Sequence, residues 1–361
     1  MEKLPIVEAE GSPFEIGLQH GRQSAAAIRT NFSYYLNLWK HYCGVEKNTV
    51  MENARIFLPS IEKLDGELID ELKGVAEGAE MQFEEILALN ARWELNYAYL
   101  FPKDDLEGCT AIGVTTETSS DKHMYIGQNW DYKPGVEKSC ILLRIRQKNK
   151  PDIVMHTEAG VIGHKGFNAS GIGICMNYIR CDRDAFRPGV PVWLKVRSLL
   201  NSKNLSKCLG VLIDNEGPNS ANILIGHREG EALDAECTPN DIHFIYPQDG
   251  ILTHSNHFLS LNFKAKDLGR SLVPDTIIRS ERAGRKLRQN RSDLNLEVMK
   301  SVLADHFGYP DSICRHRDKS LNPHAQWETL TSLIIDLTAG EMHYTEGPPC
   351  SHPYKTITIA R

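Results

Sequence analysis

The hydrophobic pattern of this 361-residue chain changes at Gly108. Before Gly108, apolar residues recur three or four positions apart, as they do in helices that bury one face. After Gly108 come short runs rich in β-branched residues and separated by Gly, Pro and Asn, which is typical of strands joined by turns. Helices in one run and strands in another indicate separate layers. We therefore expect an α+β fold.

Three helices are expected before Gly108. Ser12 to Glu15 forms an S-x-x-E capping box with Pro13 at the first helical position, so a long helix should begin there and run to about Cys43. A second helix should follow Ser60, because six apolar residues form one stripe at helical spacing. A third is expected over 83–97. The stripe consists of Ile61, Leu64, Leu68, Leu72, Val75 and Ala79.

The strands are expected in runs after Gly108, with two helical interruptions over 192–213 and 276–306. The expected strands are 110–116, 124–129, 141–147, 153–157, 171–178, 222–226, 242–246 and 330–337. The polar stretch 103–107, just before Gly108, is the segment that most resembles a processed loop.

The dipeptide Gly108-Cys109 is the first candidate for chemistry. Glycine accepts backbone conformations that a side chain forbids, so the Gly108 carbonyl can be presented to the Cys109 sulfur. Cleavage between them would give Cys109 an α-amino group with a pKa of about 7.7–8.0, which can take the proton of its own thiol. We expect Cys109 to transfer acyl groups through a thioester. An ordinary buried thiol is the alternative.

Several ordered motifs extend along nearly the whole chain. They lie at 11–17, 108–110, 127–131, 157–160 with 166–168, 253–257, and 309–310 with 312–315. Together they resemble those of the N-terminal nucleophile (Ntn) hydrolases, and among these the acyl-coenzyme A:6-aminopenicillanic acid (isopenicillin N) acyltransferases, peptidase family C45. The resemblance implies a four-layer αββα sandwich of two antiparallel sheets between helical layers. It also implies cleavage into a helical segment, 1–108, and a β-rich catalytic segment, 109–361, which remain associated as one composite domain.

The resemblance implies roles for four further residues. Asp131 would hold and orient the protonated α-amino group. Asn256 would donate its side-chain amide to the oxyanion, and Asn177 matches a position that supplies a backbone N–H in related bile-salt hydrolases and penicillin V acylases. Arg315 would lie near the nucleophile, favour its thiolate and help orient Asp131. The alternatives are turn-forming roles for Asp131 and Asn177, and a surface position for Arg315. The bile-salt hydrolase branch has arginine where this chain has Gln128, so the motif favours the acyltransferase branch.

The function expected is that of a self-processing amidohydrolase or acyltransferase. Its substrate would be a small-molecule amide or acyl thioester, and water or an amine would accept the acyl group. Two alternatives remain. A papain-like cysteine protease would use Cys109 with one of the fourteen histidines and would stay uncut. A non-enzymatic binding protein of the Ntn fold would neither cut itself nor react.

Composition excludes some partners. The formal net charge is −6, and the basic clusters at 180–187 and 279–291 are interrupted by acids, so we interpret them as solvated faces and expect no nucleic acid. The first eight residues turn acidic before any apolar segment forms, and no apolar run is long enough to span a membrane, so a cytoplasmic protein is expected.

The nine cysteines include no Cys-x-x-Cys pair; most should be buried thiols. No metal or organic cofactor is expected.

Overall fold

The computed structural model describes residues 4–100, 108–215, 217–322 and 325–359. The chain divides into two compact units. The first comprises Met1–Asp105, Gly135–Ser170 and Asp184–Asn219, and the second comprises Leu106–Pro134, Gly171–Arg183 and Ser220–Arg361. Both contain helices and strands, which confirms the α+β expectation. The stretch 103–107, predicted as a processed loop, lies outside the described residues.

The helices are α1 (Pro13–Cys43), α2 (Lys47–Ala54), α3 (Leu58–Ala79), α4 (Phe83–Asn90), α5 (Arg92–Tyr99), α6 (Val192–Leu200), α7 (Leu205–Asp214), α8 (Gly269–Leu272), α9 (Thr276–Gln289) and α10 (Leu296–Leu303). Short 3-10 turns occur at Arg55–Phe57, Val136–Ser139 and Arg291–Asp293. The strands are β1 (Ile6–Gly11), β2 (Gly108–Val114), β3 (Tyr125–Tyr132), β4 (Cys140–Gln147), β5 (Ile153–Glu158), β6 (Gly166–Asn168), β7 (Ile172–Asn177), β8 (Ala221–His227), β9 (Ala232–Thr238), β10 (Asp241–Ile245), β11 (Ile251–His254), β12 (Glu328–Asp336), β13 (Glu341–Tyr344) and β14 (Lys355–Thr358).

Helix α1 begins at the predicted capping box. The Ser12 hydroxyl oxygen accepts the N–H of Glu15, and the Glu15 carboxylate accepts the N–H of Ser12 at 2.8 Å. The helix ends at Gly44, whose φ of 63° is left-handed and favours glycine. α1 packs closely on α3, since a Cβ at Gly17 would lie 2.0 Å from the Glu71 carbonyl oxygen. The predicted limits of this helix are therefore confirmed.

Strand β1 was not expected from the sequence. It pairs in parallel with β4 in the first unit, whereas the β4–β5 and β5–β6 pairs are antiparallel. Val7 and Ala9 are buried and alternate with exposed Ile6 and Glu8, which is the period of a strand with one covered face. The residues before Gly108 thus contribute a strand as well as helices.

The second unit contains two antiparallel sheets packed face to face. One has the order β7-β8-β9-β10, and the other has the order β11-β2-β3-β12-β13-β14. Ile112 of β2 shares a core with Ala283 of α9 and Met299 of α10. The next residue, Gly113, faces Leu224 of β8, with 3.7 Å between a Cβ built there and Leu224 Cδ1. Within this unit a helical layer therefore covers one of two facing sheets, as the sandwich expectation requires.

The described residues include all the cysteines and the long helices of the chain. The nine cysteines are all described, and only Cys43 and Cys350 are exposed, so the prediction of mostly buried thiols is confirmed. No helix among the described residues is long and apolar enough to cross a membrane.

Candidate active site

The pairing of β2 with β3 brings the predicted cleavage site next to Asp131. Gly108 lies opposite Asp131 in the antiparallel register, and both Cys109 and Asp131 are buried. A Cβ on Gly108 would lie 2.3 Å from the ring of Trp327 and 3.2 Å from Asp131 Oδ2. Gly108 has no left-handed φ. Glycine is needed here for space, and not for the conformational freedom that the sequence suggested.

The Asp131 carboxylate has one occupied and one open oxygen. Oδ1 accepts a hydrogen bond of 2.6 Å from the hydroxyl of Thr329. Oδ2 lies 3.7 Å from Nε of Arg315 and has no hydrogen-bond donor in the described part of the chain. Burial raises the pKa of Asp131 above its ordinary value, in spite of the nearby positive charges of Arg315 and Arg279. An ammonium group next to Gly108 would satisfy this oxygen.

Arg315 is buried beside Asp131, so the surface alternative for this residue is wrong. Its guanidinium also forms ion pairs with Asp275 and Asp311, and it stacks on Trp327 with 3.7 Å from Cζ to the ring centroid. The Arg315 backbone N–H donates to the Thr329 hydroxyl oxygen at 2.9 Å. The predicted proximity of Arg315 to Asp131 is therefore present, and Thr329 connects the two through its hydroxyl.

Asn256 contacts Cys109, the candidate nucleophile, directly. The Cys109 N–H donates to Asn256 Oδ1 at 3.1 Å, and Asn256 Nδ2 donates to the carbonyl oxygen of Tyr178 at 2.7 Å. The Asn256 backbone N–H donates to the hydroxyl oxygen of Thr276 at 2.6 Å. Because an amide nitrogen carries two N–H groups, the second one on Nδ2 can serve an oxyanion. The structure thus brings Asn256 and Cys109 together, through the amide oxygen.

Arg279 belongs to this network, although the sequence analysis missed it. Its Nη1 donates to the Cys109 carbonyl oxygen at 2.7 Å, and its Nη2 donates to Asn256 Oδ1 at 2.7 Å. Its Nε donates to Asp275 at 2.6 Å. The interpretation of 279–291 as a solvated face is therefore wrong at its first residue. Helical spacing could have identified it, because Arg279 precedes Ala283 and Leu287 by four and eight positions, and all three are buried on α9.

Arg279 and Arg315 also determine the protonation of Asp275. Burial alone raises the pKa of this carboxyl, but the two guanidinium groups bring it below its ordinary value. Asp275 is therefore ionised at neutral pH. The site contains two buried arginines balanced by carboxylates, which keeps its charge nearly neutral.

The loop that carries Asn256 is anchored by a buried ion pair. Nε2 of His254 lies 2.8 Å from Glu236, whose carboxylate also accepts the N–H groups of Leu259 and Ser260 at 2.6 and 3.0 Å. Burial opposes the charge on both partners, yet the pKa of His254 is raised and the pKa of Glu236 is lowered, because each stabilises the charge of the other. The pair fixes the loop on both sides of Asn256.

Asn177 is placed near the same loop. Its Nδ2 donates to the His254 carbonyl oxygen at 3.4 Å, and its Oδ1 accepts from Asn222 at 3.5 Å. Gln128 holds the preceding residue, since the Met176 N–H donates to Gln128 Oε1 at 3.0 Å. The backbone role expected for Asn177 stays a prediction.

A protein-family model and a known acyltransferase both match this chain. The family model described as acyl-coenzyme A:6-aminopenicillanic acid acyl-transferase matches residues 116–350. The 40 kDa form of acyl-coenzyme A:6-aminopenicillanic-acid-acyltransferase from Emericella nidulans is 31% identical over 360 residues, which cover 98% of this chain and 95% of the relative.

Solved structures give weaker likenesses. A variant of the conjugated bile acid hydrolase from Clostridium perfringens has a TM-score of 0.44 and 13% identity, over 69% of this chain and 97% of that one. Penicillin V acylase from Agrobacterium tumefaciens has a TM-score of 0.44 and 12% identity, over 66% and 83% of the two chains. The family match and the identity to the Emericella protein show that this chain belongs to the acyl-coenzyme A:6-aminopenicillanic acid acyltransferase family, a family of acyltransferases and amidohydrolases.

Proposed function

We propose that this protein cuts itself between Gly108 and Cys109 and then acts as an N-terminal-cysteine amidohydrolase or acyltransferase. The observation that supports this most directly is the open oxygen of Asp131. Oδ2 is buried without a hydrogen-bond donor in the described part of the chain, and it lies beside Gly108. A buried carboxylate oxygen without a donor is costly. The ammonium group created at Cys109 by cleavage would remove this cost.

The cleavage needs only groups at this site and one water molecule. The Cys109 sulfur attacks the Gly108 carbonyl carbon, the amide bond to the Cys109 nitrogen breaks, and that nitrogen takes up the thiol proton. Water then hydrolyses the resulting thioester and leaves a carboxylate on Gly108. The hydrogen bond from the Cys109 N–H to Asn256 and the bond from Arg279 to the Cys109 carbonyl oxygen support this step, because they hold the attacking residue in one orientation.

In turnover, the α-amino group of Cys109 would take the proton from its own thiol, and the thiolate would attack the acyl carbon of the substrate. The bond from this carbon to the amine or thiol of the substrate would then break, the leaving group would take the proton from the α-ammonium group, and the acyl group would remain on Cys109 as a thioester. The developing oxyanion would accept the second N–H of Asn256 Nδ2 and a backbone N–H, for which Asn177 is the candidate. Asp131, oriented by Thr329 and Arg315, would bind the protonated amine. Water or an amine would then take the acyl group from the thioester.

Contacts within the first unit support continued association of segments 1–108 and 109–361 after cleavage. Strand β1, from the first segment, pairs with β4, from the second. Arg92 forms a fully buried ion pair with Glu158, and Glu71 forms another with Arg197 at 2.9 Å. Separation would break both ion pairs and the pairing of β1 with β4, and it would expose the apolar surface around them to water, which is unfavourable.

The papain-like alternative is less well supported. It needs a histidine that is free to accept the thiol proton of Cys109. Both ring nitrogens of His254 are engaged, one with Glu236 and the other with the carbonyl oxygen of Ser255. Burial lowers the pKa of His257 to about 4, which makes it a weak base. The N-terminal amine requires no histidine.

The family supports a proposal for the substrate class. The Emericella relative is named for an acyl-coenzyme A donor and a 6-aminopenicillanic acid acceptor. We propose a small-molecule acyl thioester or amide as the substrate of this protein, since attack by a thiolate suits both kinds of acyl carbon.

Intact-mass spectrometry of purified protein tests the cleavage. The wild-type chain should give two masses, corresponding to 1–108 and 109–361, whereas Cys109→Ala should remain whole. Cys140→Ala, which alters another buried thiol, is the matched control and should be cut normally. Cleavage of the Cys109→Ala chain in an unrelated host would mean that an external protease cuts it.

A second experiment tests the base. Segment 109–361, with Cys109 exposed by removal of the initiator methionine, is co-expressed with segment 1–108. This form should hydrolyse or transfer acyl groups without a cutting step. One extra residue before Cys109 turns the amine into an amide without useful basicity and should abolish activity. Equal activity of the two forms would contradict the N-terminal mechanism and favour the papain-like alternative.

A further inference from the structure

Two histidines and two cysteines of the second unit converge on one point. His306, Cys314 and His316 follow helix α10, and Cys350 follows strand β13. One possible ligand atom from each of the four lies within 4.8 Å of every other. Their spacing in the sequence does not indicate a metal site, because Cys350 is 34 positions from His316 and no metal-binding motif is visible.

The distances match a tetrahedral metal site. Nε2 of His316 lies 3.6 Å from Sγ of Cys314, 3.5 Å from Sγ of Cys350 and 3.1 Å from Nε2 of His306. Around a tetrahedral zinc ion, two ligand nitrogens are about 3.3 Å apart, and a nitrogen and a sulfur are about 3.5 Å apart. The three distances from Nε2 of His316 therefore agree with those around a tetrahedral ion, and the other pairs of ligand atoms lie within 4.8 Å of each other.

Hydrogen bonding alone does not explain this arrangement. Nε2 of a histidine carries either one proton or one lone pair, so it can form one good hydrogen bond. Three polar atoms nevertheless lie within 3.6 Å of Nε2 of His316. A cation at the centre would bind all four atoms at once.

The backbone that presents three of these residues is held by its own hydrogen bonds. The Cys314 N–H donates to the Asp305 carbonyl oxygen at 3.0 Å, and the His316 N–H donates to the Pro310 carbonyl oxygen at 3.0 Å. Asp305 is fixed in turn by ion pairs with Arg282 at 2.6 Å and with Lys286 at 2.7 Å. The ligand geometry is thus built into the loop.

We propose that His306, Cys314, His316 and Cys350 form a structural zinc site. Two thiolates with two imidazoles in tetrahedral geometry are a typical zinc ligand set. His306 and Cys350 are exposed, so the ion has a path of entry from solvent. Four protein ligands leave no position for a substrate, which makes the role structural. Because Arg315 lies between Cys314 and His316, the ion would also hold the segment that carries this arginine.

Metal analysis of protein purified without an affinity tag tests the site. Wild-type protein should contain about one zinc ion per chain, as measured by inductively coupled plasma mass spectrometry. Replacement by Co²⁺ should give the visible absorption of a tetrahedral thiolate complex. Cys350→Ser and His306→Ala should each reduce zinc content at least about tenfold, in line with the loss of one ligand. Cys43→Ser, which alters the other exposed cysteine, should bind zinc like the wild type.

A thermal-unfolding measurement gives an independent readout. A chelator should lower the unfolding temperature of the wild-type protein and leave that of Cys350→Ser unchanged. Three results would overturn the proposal: wild-type protein that binds neither zinc nor Co²⁺, a Cys350→Ser chain with full zinc content, or a Cys314–Cys350 disulfide in protein purified under reducing conditions.

Discussion

Arg279, on helix α9, donates a hydrogen bond of 2.7 Å to the carbonyl oxygen of Cys109, the second residue of strand β2. This bond connects α9 to the beginning of β2. The same guanidinium bonds to Asn256 at 2.7 Å and to Asp275 at 2.6 Å. One buried side chain therefore sets the relative position of the candidate nucleophile and the candidate oxyanion donor. Such positioning matters because a shift of about 1 Å at a catalytic site can cost about 10²-fold in rate.

Arg279→Lys should slow self-cleavage by about 10²-fold, because an ammonium group cannot reproduce the planar guanidinium that donates to four acceptors on Asp275, Cys109, Thr110 and Asn256. The charge opposite Asp275 is kept, so the chain should still fold. The measurement is the fraction of cut chain against time after a pulse of expression. Arg285→Lys, at an exposed position on the same helix, is the control and should behave like the wild type. Wild-type cleavage by the Arg279→Lys chain would remove Arg279 from the mechanism.

Gly108→Ala should also impair cleavage by about 10²-fold, because the new Cβ would lie 2.3 Å from the Trp327 ring and the strand must move. Gly113→Ala on the same strand is the matched control, since its nearest contact would be an ordinary 3.4 Å from Leu252. Cleavage is followed by intact mass. If the Gly108→Ala chain matures at the wild-type rate, close packing at Gly108 has no part in the reaction.

The sequence predicted the long elements well because their patterns are local. The capping box at Ser12 and the apolar stripe of α3 depend on residues that are close together in the sequence, and α1 lies where it was expected. α3 also covers the expected range, but it is broken at Asp65, whose φ of −168° and ψ of 107° are not helical, so the predicted stripe crosses a kink. The expected strands of the second half also occur with small shifts at their ends. By contrast β1, with two glutamates among six residues, has a composition poor in strand formers, and its pairing with β4 provides the stability.

The candidate site was predictable only where a motif marked it. Cys109, Asp131 and Asn256 stand in recognisable motifs, and the structure connects them. Arg279 stands in no motif, and its charge suggested solvent; only its position on the buried face of α9 indicates otherwise. Thr329 was equally hard to identify as a site residue, since threonine is common in strands. Long-range hydrogen bonds of this kind leave no local trace in the sequence.

Protonation of the buried His20 should destabilise the folded protein in acid. Burial lowers the pKa of His20 from 6.5 to about 4, and its Nε2 accepts the N–H of Gly160 at 3.1 Å. Between pH 6.5 and about 4, His20 is therefore neutral in the folded protein but protonated in the unfolded chain. The contribution of neutral His20 is fully present above pH 6.5 and is lost as the pH falls towards 4, which corresponds to about 3 kcal/mol.

His20→Gln should lose less stability over the same pH range, because glutamine keeps an acceptor for Gly160 and does not titrate. Urea unfolding at several pH values, in the uncut Cys109→Ala background, compares the two chains. The other buried histidines titrate equally in both, so the difference isolates His20. Parallel stability curves for the two chains between pH 6.5 and 4 would show that His20 is not the cause.

The side chain of Asn256 offers two hydrogen-bonding groups with separate proposed functions, and two substitutions distinguish them. Its Oδ1 accepts the Cys109 N–H at 3.1 Å, whereas its Nδ2 supplies the one N–H proposed for the oxyanion. Asn256→Ala removes both and should impair cleavage as well as turnover. Asn256→Asp keeps an acceptor for Cys109 and Arg279 but loses the donor, so it should mature more completely than the alanine variant.

The Asn256→Asp chain, once matured, should lose about 10²–10³-fold in kcat with a much smaller change in KM, because an oxyanion donor acts only as charge develops. The assay uses the co-expressed segments 1–108 and 109–361, so that both variants begin with a Cys109 amine whatever their cleavage rate. Asn222→Asp alters another buried asparagine of the same unit, one that contacts Asn177 and not Cys109, and it should retain more turnover. Normal kcat in a fully matured Asn256→Asp enzyme would exclude this side chain as the oxyanion donor and would leave backbone N–H groups to carry that role.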